Sequence, residues 1–431
     1  LDEAGQVNGV CASHGSAGEA AIGPPHRFML DPGPITEVHA FWLAGMSCDG
    51  CSVSILGAQS PSVEQLLNAG LPGLPKVILH HPVLSVSWGK EFMKAHHLAK
   101  AGKLGAPYVV IYEGSVADES IAGAFGGYWS AMGAGSGDKA GPIPTAHWLR
   151  DLAPGAAAVI AVGTCATWGG IPAAAGNVTG SMSVMDYLGK DYLSALGLPP
   201  INVPGCAPVG DNMTETVSTV LMFLAGIGPL PELDELGRPA WMFKRTVHQG
   251  CTRAGDYEEG VFAKKMGDPE CLVELGCWGP VVQCNIVYRG AQSHAGGCMN
   301  TGGICIGCTM PGFPDDFAPF YKTPPGTVLS STASRTTGSF VRPLRRIMQR
   351  QHNREHRWIR DGGTVPSGWG KVSARGGLVD QATHFFYKKL QSLNTQFRPG
   401  SKRQIALQEA SHRYIRTRPT ADGQAGGEAS L

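Results

Sequence analysis

From Val38 to about Gly228, short apolar runs alternate with stretches of helical period, the pattern of a parallel sheet wrapped by helices. Four runs stand out: Val38–Leu43, Tyr108–Tyr112, Ala157–Val162 and Ile201–Val203. Each runs directly into a loop rich in Gly, Cys or acidic residues. In open α/β sheets, ligands gather at the carboxyl ends of such strands, and here the cysteines fall there. Met213–Leu224 reads as a helix with an apolar face, stopping near Gly226 and Gly228. Pro229-Leu-Pro231 and Gly237-Arg-Pro239 then predict a linker.

Past the linker the pattern changes. From His248 to Phe320 helical period fades, and seven cysteines stand in a Gly-dense stretch, as expected of a domain organised by inorganic ligands more than by a large apolar core. Beyond about Lys322, Ser/Thr-rich and basic segments follow, with one helix expected at Leu344–Trp358 and a polar terminus that orders only on a partner. The expected division is an N-terminal extension (1–37), a flavodoxin-like α/β domain (38–235), a small cluster domain (236–325) and a basic C-terminal extension (326–431).

Composition narrows the class. With 43% hydrophobic and 16% charged residues in 431, the chain can bury one large core or two ordinary ones, and its 60 Gly and 31 Pro lack any collagen-like period. The net charge is +1, but Ser331–Leu431 carries 18 Lys and Arg against 6 Asp and Glu, leaving the remainder acidic. That tail, poor in interleaved aromatics, is expected to dock on protein, with no nucleic acid expected. The longest apolar run, Ala156–Gly163, falls far short of the roughly 20 residues of a membrane span, so no transmembrane segment is expected. The polar N-terminus shows no secretory pattern, and the expected location is the cytoplasm, free or peripheral to a membrane.

Setting Cys11 aside as a lone thiol, the other cysteines and His248 make three sets of four. Cys48 and Cys51, Cys165, and Cys206 each follow one of the strands, so four thiols converge at one edge of the sheet. His248, Cys251, Cys271 and Cys277 form a second set, and Cys284, Cys298, Cys305 and Cys308 a third. Such sets suit tetrahedral zinc or iron–sulfur clusters, and count alone does not choose. Structural zinc takes close ligand pairs on short loops. Single cysteines at two strand ends of a domain large enough to fold unaided favour a cofactor in the first set, while zinc stays open for the others. Disulfides are the weaker reading in a reducing compartment.

Taken in order, Cys48-x-x-Cys51-Ser, Glu113-Gly114, Gly163-Thr-Cys165-Ala-Thr-Trp-Gly-Gly, Asn202-Val-Pro-Gly-Cys206-Ala-Pro, His248-x-x-Cys251 and Cys305-Ile-Gly-Cys308 resemble the small, electron-transfer subunit of [NiFe]-hydrogenases, from about Phe41 to Phe320. The resemblance implies a flavodoxin-like domain holding a proximal cluster at Cys48, Cys51, Cys165 and Cys206. It further implies a distal cluster at His248, Cys251, Cys271 and Cys277, and medial ligands Cys284, Cys305 and Cys308. Cys284 stands two residues before its usual place. Many members have proline at the position of Cys298 and hold a three-iron centre, so a fourth cysteine implies three [4Fe–4S] clusters in all. Gly50 and Gly170 stand where the oxygen-tolerant membrane-bound type has extra cysteines, and the chain looks like the actinobacterial, high-affinity type. In that subgroup three cysteines and an aspartate hold the proximal cluster. Asp49 would then displace Cys48, with Asp118 a weaker candidate, and the alternative is that Asp49 only hydrogen-bonds loop amides.

The resemblance also implies a nickel-bearing large subunit as partner, holding the Ni-Fe centre, and leaves this chain to conduct electrons from H2 oxidation to an acceptor that the sequence does not name. His248 replaces a thiolate by neutral imidazole, which raises the distal potential. Glu113 is a candidate proton relay or, equally, a loop cap. Trp168 and Trp278 are expected to shield cluster sulfur, and His80, His81, His96 and His97 to be structural or at the surface. The basic extension could join two heterodimers. Two other readings stand beside this one. One is the cluster-bearing subunit of a complex I-like oxidoreductase, which lacks the cysteine-rich second domain. The other is a zinc-stapled binding module.

Overall fold

The computed structural model describes residues 35–135, 141–189 and 191–352. Seven strands occur there: β1 (Glu37–Ala44), β2 (Lys76–His80), β3 (Tyr108–Glu113), β4 (Ala131–Ala134), β5 (Pro142–Pro144), β6 (Ala158–Val162) and β7 (Ile201–Val203). Five form one sheet in the order β2-β1-β3-β6-β7, every neighbouring pair parallel. This is the flavodoxin-like order, with its switch point between β1 and β3. β4 and β5 make a separate antiparallel ribbon.

Burial explains the apolar runs. All residues of β3, β6 and β7 are buried, as parallel strands covered on both faces must be. β1 alternates its side chains between two layers. Val38, Ala40 and Trp42 pack with Met213, Val217 and Leu221 of the helix Gly210–Leu224, whereas Phe41 and Leu43 face Phe92, Trp148 and Leu149. The edge strand β2 is not among the four runs singled out, because it is half-covered and its end carries His80 and His81 instead of a cysteine or an acid. The helix expected from Met213 begins three residues earlier. Asp211 in its first turn accepts the backbone N–H groups of Gln59 and Ser60 at 2.7 and 3.0 Å, fixing that start against the loop after the helix Gly50–Leu56.

After Ala240 the chain makes only short helical turns up to Arg289, around a compact core that includes Val247, Leu272, Val282, Met310 and Phe317 with Cys277 and Cys305. Two contacts join it to the sheet region. Trp168 Nε1 donates to the Thr309 carbonyl at 3.2 Å, and Thr164 Oγ1 donates to the carbonyl of Cys308. Trp168, three residues after Cys165 in the chain, therefore ties the two regions together.

The helix expected at Leu344–Trp358 is instead Thr327–His352, and residues 353–358 lie outside the described ones. In the Ser/Thr-rich stretch the hydroxyls are satisfied within the helix, as Thr332 Oγ1 donates to the Val328 carbonyl at 2.7 Å, and Ser330, Ser331 and Ser334 are buried by packing. Small side chains let this helix lie close on Glu259 and Gly260, and Arg335 fastens it by an ion pair to Glu274 at 2.8 Å. Cys11 and the remainder of the basic extension lie outside the described residues.

Candidate metal centres

The first set of thiols lies along the carboxyl edge of the sheet. After β1 the chain passes Cys48, turns at Asp49 in the left-handed region (φ 60°) and enters the helix Gly50–Leu56, which carries Cys51. Cys165 sits in the helix Gly163–Trp168 directly after β6, and Cys206 follows β7 by three residues. Cys51 and Cys165 are half-buried, and Cys48 and Cys206 exposed. Burial pushes the Cys51 thiol far up, and Glu113, Cys165, Cys48 and Cys206 push it further. Cys165 is pushed up to about 11, first by burial and then by Cys206, and Cys206 rises through burial and Cys48. Each thiol thus stands in the field of the others.

Two glycines make room for them. A Cβ at Gly163 (φ 85°) would stand 2.5 Å from Cys51 Sγ, and one at Gly170 (φ 55°) 2.8 Å from Cys165 Sγ. Four clustered thiolates on partly buried ground repel one another unless a strongly cationic body neutralises them. Among the described residues no three His, Cys, Asp or Glu side chains close on a position for a single metal ion. Four cysteine thiols brought to one edge of the sheet are the donor chemistry of an iron–sulfur cluster, which takes four thiolates around its core.

Glu113, the last residue of β3 and almost completely buried, meets the loop after β1. Its Oε1 accepts the N–H groups of Cys51 at 3.0 Å and Ser52 at 3.2 Å. Its Oε2 accepts Trp42 Nε1 at 2.9 Å and Ser52 Oγ at 2.5 Å. These are the contacts of a cap on the helix that carries Cys51. The Ser52 hydroxyl also meets His81 Nε2 at 2.9 Å, and His81 Nδ1 accepts the N–H groups of Val83 and Leu84 at 3.1 and 3.3 Å. Since Nδ1 accepts, the ring proton belongs on Nε2, pointing at Ser52. His81 is thus structural but tied to the site, a link that its sequence context did not signal.

Asp49, at the N-cap of the helix Gly50–Leu56, makes no capping bond with its side chain. Asp118 is engaged elsewhere. Its Oδ1 accepts Ser120 N–H at 2.9 Å as the N-cap of the helix Glu119–Gly123.

The other two sets lie in the second region. His248, Cys251, Cys271 and Cys277 line one cavity together with Val247, Leu272 and Gly279. Burial is the main cause that raises Cys251, Cys271 (to about 12) and Cys277. The buried ring of His248 packs edge-on against Tyr257 at 4.6 Å. Backbone N–H groups face two of the sulfurs, Arg253 to Cys251 at 3.4 Å and Gly279 to Cys277 at 3.4 Å. In the third set burial raises Cys284 to about 11 and Cys308 to about 12, and raises Cys298 and Cys305 as well. Cys284 and Cys298 both act on Cys308.

The third set touches both others. Cys305 N–H donates to Cys277 Sγ at 3.3 Å, and Cys308 lies in the field of Cys206. Trp278 stands beside this junction, its N–H donating to the Cys305 carbonyl at 2.9 Å and its ring packed on Phe317 at 4.7 Å.

A flavodoxin-like sheet with thiols at its carboxyl edge, leading into a second cysteine-rich region, is the architecture of a multi-centre electron-transfer protein. Residues 243–321 match the family of the C-terminal part of the NiFe/NiFeSe hydrogenase small subunit, and residues 48–220 match the family of the NADH ubiquinone oxidoreductase 20 kDa subunit. The structure is similar to an actinobacterial-type NiFe-hydrogenase from Ralstonia eutropha H16, with 51% identity and TM-score 0.71, covering 75% of this chain and 94% of that one. The sequence is 36% identical over 285 residues to the periplasmic [NiFeSe] hydrogenase small subunit of Desulfomicrobium baculatum, 65% of this chain and 85% of the relative. It is 30% identical over 311 residues to an F420 non-reducing hydrogenase small subunit of Methanosarcina mazei, 66% of this chain and 75% of the relative. This chain belongs to the small subunits of [NiFe]-hydrogenases. It pairs with a large subunit that holds the catalytic site, and its own part is the relay of electrons through iron–sulfur clusters. Among the described residues no helix is long and apolar enough to cross a membrane.

Proposed function

We propose that the chain relays electrons from H2 oxidation through three [4Fe–4S] clusters. The proximal one is held by Cys51, Cys165 and Cys206 with Cys48 or Asp49, the medial one by Cys284, Cys298, Cys305 and Cys308, and the distal one by His248, Cys251, Cys271 and Cys277. The observation that carries this order is the pair of links made by the third set, Cys308 toward Cys206 and Cys305 to Cys277. A relay needs its middle station in contact with both ends.

An iron–sulfur cluster supplies one-electron redox chemistry at a potential set by ligand type, hydrogen bonds to sulfur and burial. The chain's own residues act on each of these. Amide donors from Gly279, Cys305 and Arg253 point at the sulfurs of Cys277 and Cys251 and stabilise negative charge there. The imidazole of His248 contributes no charge. Glu113 holds the helix of Cys51 in place, and Ser52 between Glu113 and His81 offers a hydroxyl through which a proton could pass. Exposure of Cys48 and Cys206 supports docking of the large subunit over this edge, where it brings the Ni-Fe site next to the first cluster.

The test is the anaerobically purified heterodimer. It should be brown, carry about four iron and four acid-labile sulfide per cluster, and show no three-iron signal in electron paramagnetic resonance. Colourless protein with stoichiometric zinc would instead support the binding module. Location in the cytoplasm and pairing of two heterodimers through the basic extension are parts of the same proposal, read by cell fractionation and by the mass of the native complex.

A further inference from the structure

Arg238 lies on the segment that leaves the sheet region, and its side chain is completely buried. Burial of a guanidinium is expensive unless anions and acceptors surround it. Asp234 supplies part of this, accepting Arg238 N–H at 2.9 Å, Nε at 2.8 Å and Nη2 at 2.8 Å. Nη2 also donates to Gln283 Oε1 at 2.5 Å, and the Phe243 ring lies 5.0 Å from the guanidinium carbon. Nη1 is buried with no hydrogen-bond partner among the described residues. Asp234 bonds the guanidinium directly and Glu235 acts on it without a hydrogen bond, and Nη1 stays free to face further negative charge.

That charge lies next along the chain. Gln283 precedes Cys284, and its carbonyl accepts Thr309 Oγ1 at 2.8 Å, where Thr309 follows Cys308. The guanidinium thus grips a bridge that joins two ligands of the third set. The electrostatics agree with the contacts: burial depresses Arg238, Asp234 and then Glu235 act to raise it, and the Cys284 thiolate adds to them, while the guanidinium in turn favours that thiolate.

We propose that Arg238 is the buried counter-charge of the medial cluster, a positioning residue that holds the Cys284 segment through Gln283 and makes the cluster easier to reduce. The inference rests on the assignment of Cys284, Cys298, Cys305 and Cys308 to one cluster. Reduction adds a negative charge to a site already rich in thiolate. A fixed positive charge in a low-dielectric interior favours that state and raises the potential. The guanidinium charge is spread over its three nitrogens, and Nη1 has no hydrogen-bond partner among the described residues.

The experiment is a redox titration of the holo-heterodimer, following each cluster by electron paramagnetic resonance, for the wild type, Arg238→Gln, Arg238→Lys and Gln283→Leu. Arg238→Gln removes the charge and should move the medial midpoint to more negative potential while the proximal and distal midpoints stay put. Arg238→Lys and Gln283→Leu keep the charge and should stay closer to the wild type than Arg238→Gln. An unmoved medial midpoint in Arg238→Gln, or equal movement of all three, overturns the proposal. If Arg238→Gln cannot assemble the cluster, Arg238→Lys decides: a wild-type midpoint supports the counter-charge, and loss of the cluster there too overturns it in favour of a purely structural role. If the wild type itself holds only two clusters by iron and sulfide content, the cluster assignment has failed, an outcome distinct from all of these.

Discussion

The backbone N–H of Cys305 points at the Sγ of Cys277 at 3.3 Å, so a single peptide group belongs to two cysteine sets at once. Cys277 is also acted on by Cys298 of the other set. Removing it should therefore be felt on both sides. Cys277→Ala is expected to lose about four iron and also shift the medial signal, whereas Cys251→Ala, whose sulfur accepts from Arg253, should lose the distal cluster alone. Iron content with spectra of the two remaining clusters checks this, and identical spectra in the two variants would break the link.

Cys298 tests the number of irons at the medial site. It lies in the set defined by Cys284 and Cys308, both of which it influences. Cys298→Pro leaves three thiols and should convert the site to a three-iron centre with its signal in the oxidised state. An unchanged oxidised spectrum would remove Cys298 from the shell.

The fourth proximal ligand divides cleanly between neighbours. Cys48 acts on Cys51, Cys165 and Cys206, which favours the thiol. Asp49 stands exposed beside it with a side chain that caps nothing, which keeps the carboxylate in contention. If Cys48 is the ligand, Cys48→Ser should change the proximal signal and Asp49→Asn should leave it as in the wild type. If Asp49 binds, the two results exchange. A hard oxygen donor alters cluster charge and potential, so the midpoint reads the difference.

How far the chain can be read as a sequence follows from where its information is local. Strand ends followed by cysteines are contiguous signals, and β1, β3, β6 and β7 appear within a residue or two of the expected runs. β2 escapes such a reading because an edge strand is only half-covered. The long helix from Thr327 escapes it because serine and threonine read as loop, and the packing on Glu259, Gly260 and Glu274 that holds them helical is not local. Arg238, inside Gly237-Arg-Pro239, reads as linker punctuation; that its charge is buried depends on Asp234, Phe243 and Gln283, the last of them 45 residues away. Likewise nothing local joins Ser52 to His81.

Gly163 offers a steric test of the proximal site. With φ at 85° and its Cβ direction 2.5 Å from Cys51 Sγ, Gly163→Ala must either strain the backbone or displace the sulfur. It should cost about 1–3 kcal/mol of stability and lower the proximal signal selectively. Gly176→Ala serves as the control. It too has a positive φ, but open space beside it, so it should cost stability without touching the cluster.

A last prediction concerns pH. On the face of the sheet away from the thiols' helix, His39 Nδ1 lies 2.7 Å from His80 Nε2, and His96 is fully buried against Phe41 and Trp148. Burial, with His39 second, holds His80 down at about 4, and burial, with His80 second, holds His96 down at about 3. In the unfolded chain both take up a proton near pH 6.5. The folded state refuses it until much lower pH, so stability is full above pH 6.5 and falls steadily as pH drops toward 4. For His96 alone the loss is about 3 kcal/mol between pH 7 and pH 4. Thermal unfolding of the heterodimer followed by far-ultraviolet circular dichroism should show Tm falling below pH 6.5. His96→Leu should flatten the slope between pH 6.5 and 5, a window chosen to stay above acid loss of sulfide. An equal slope in the variant would move the acid sensitivity away from this histidine cluster.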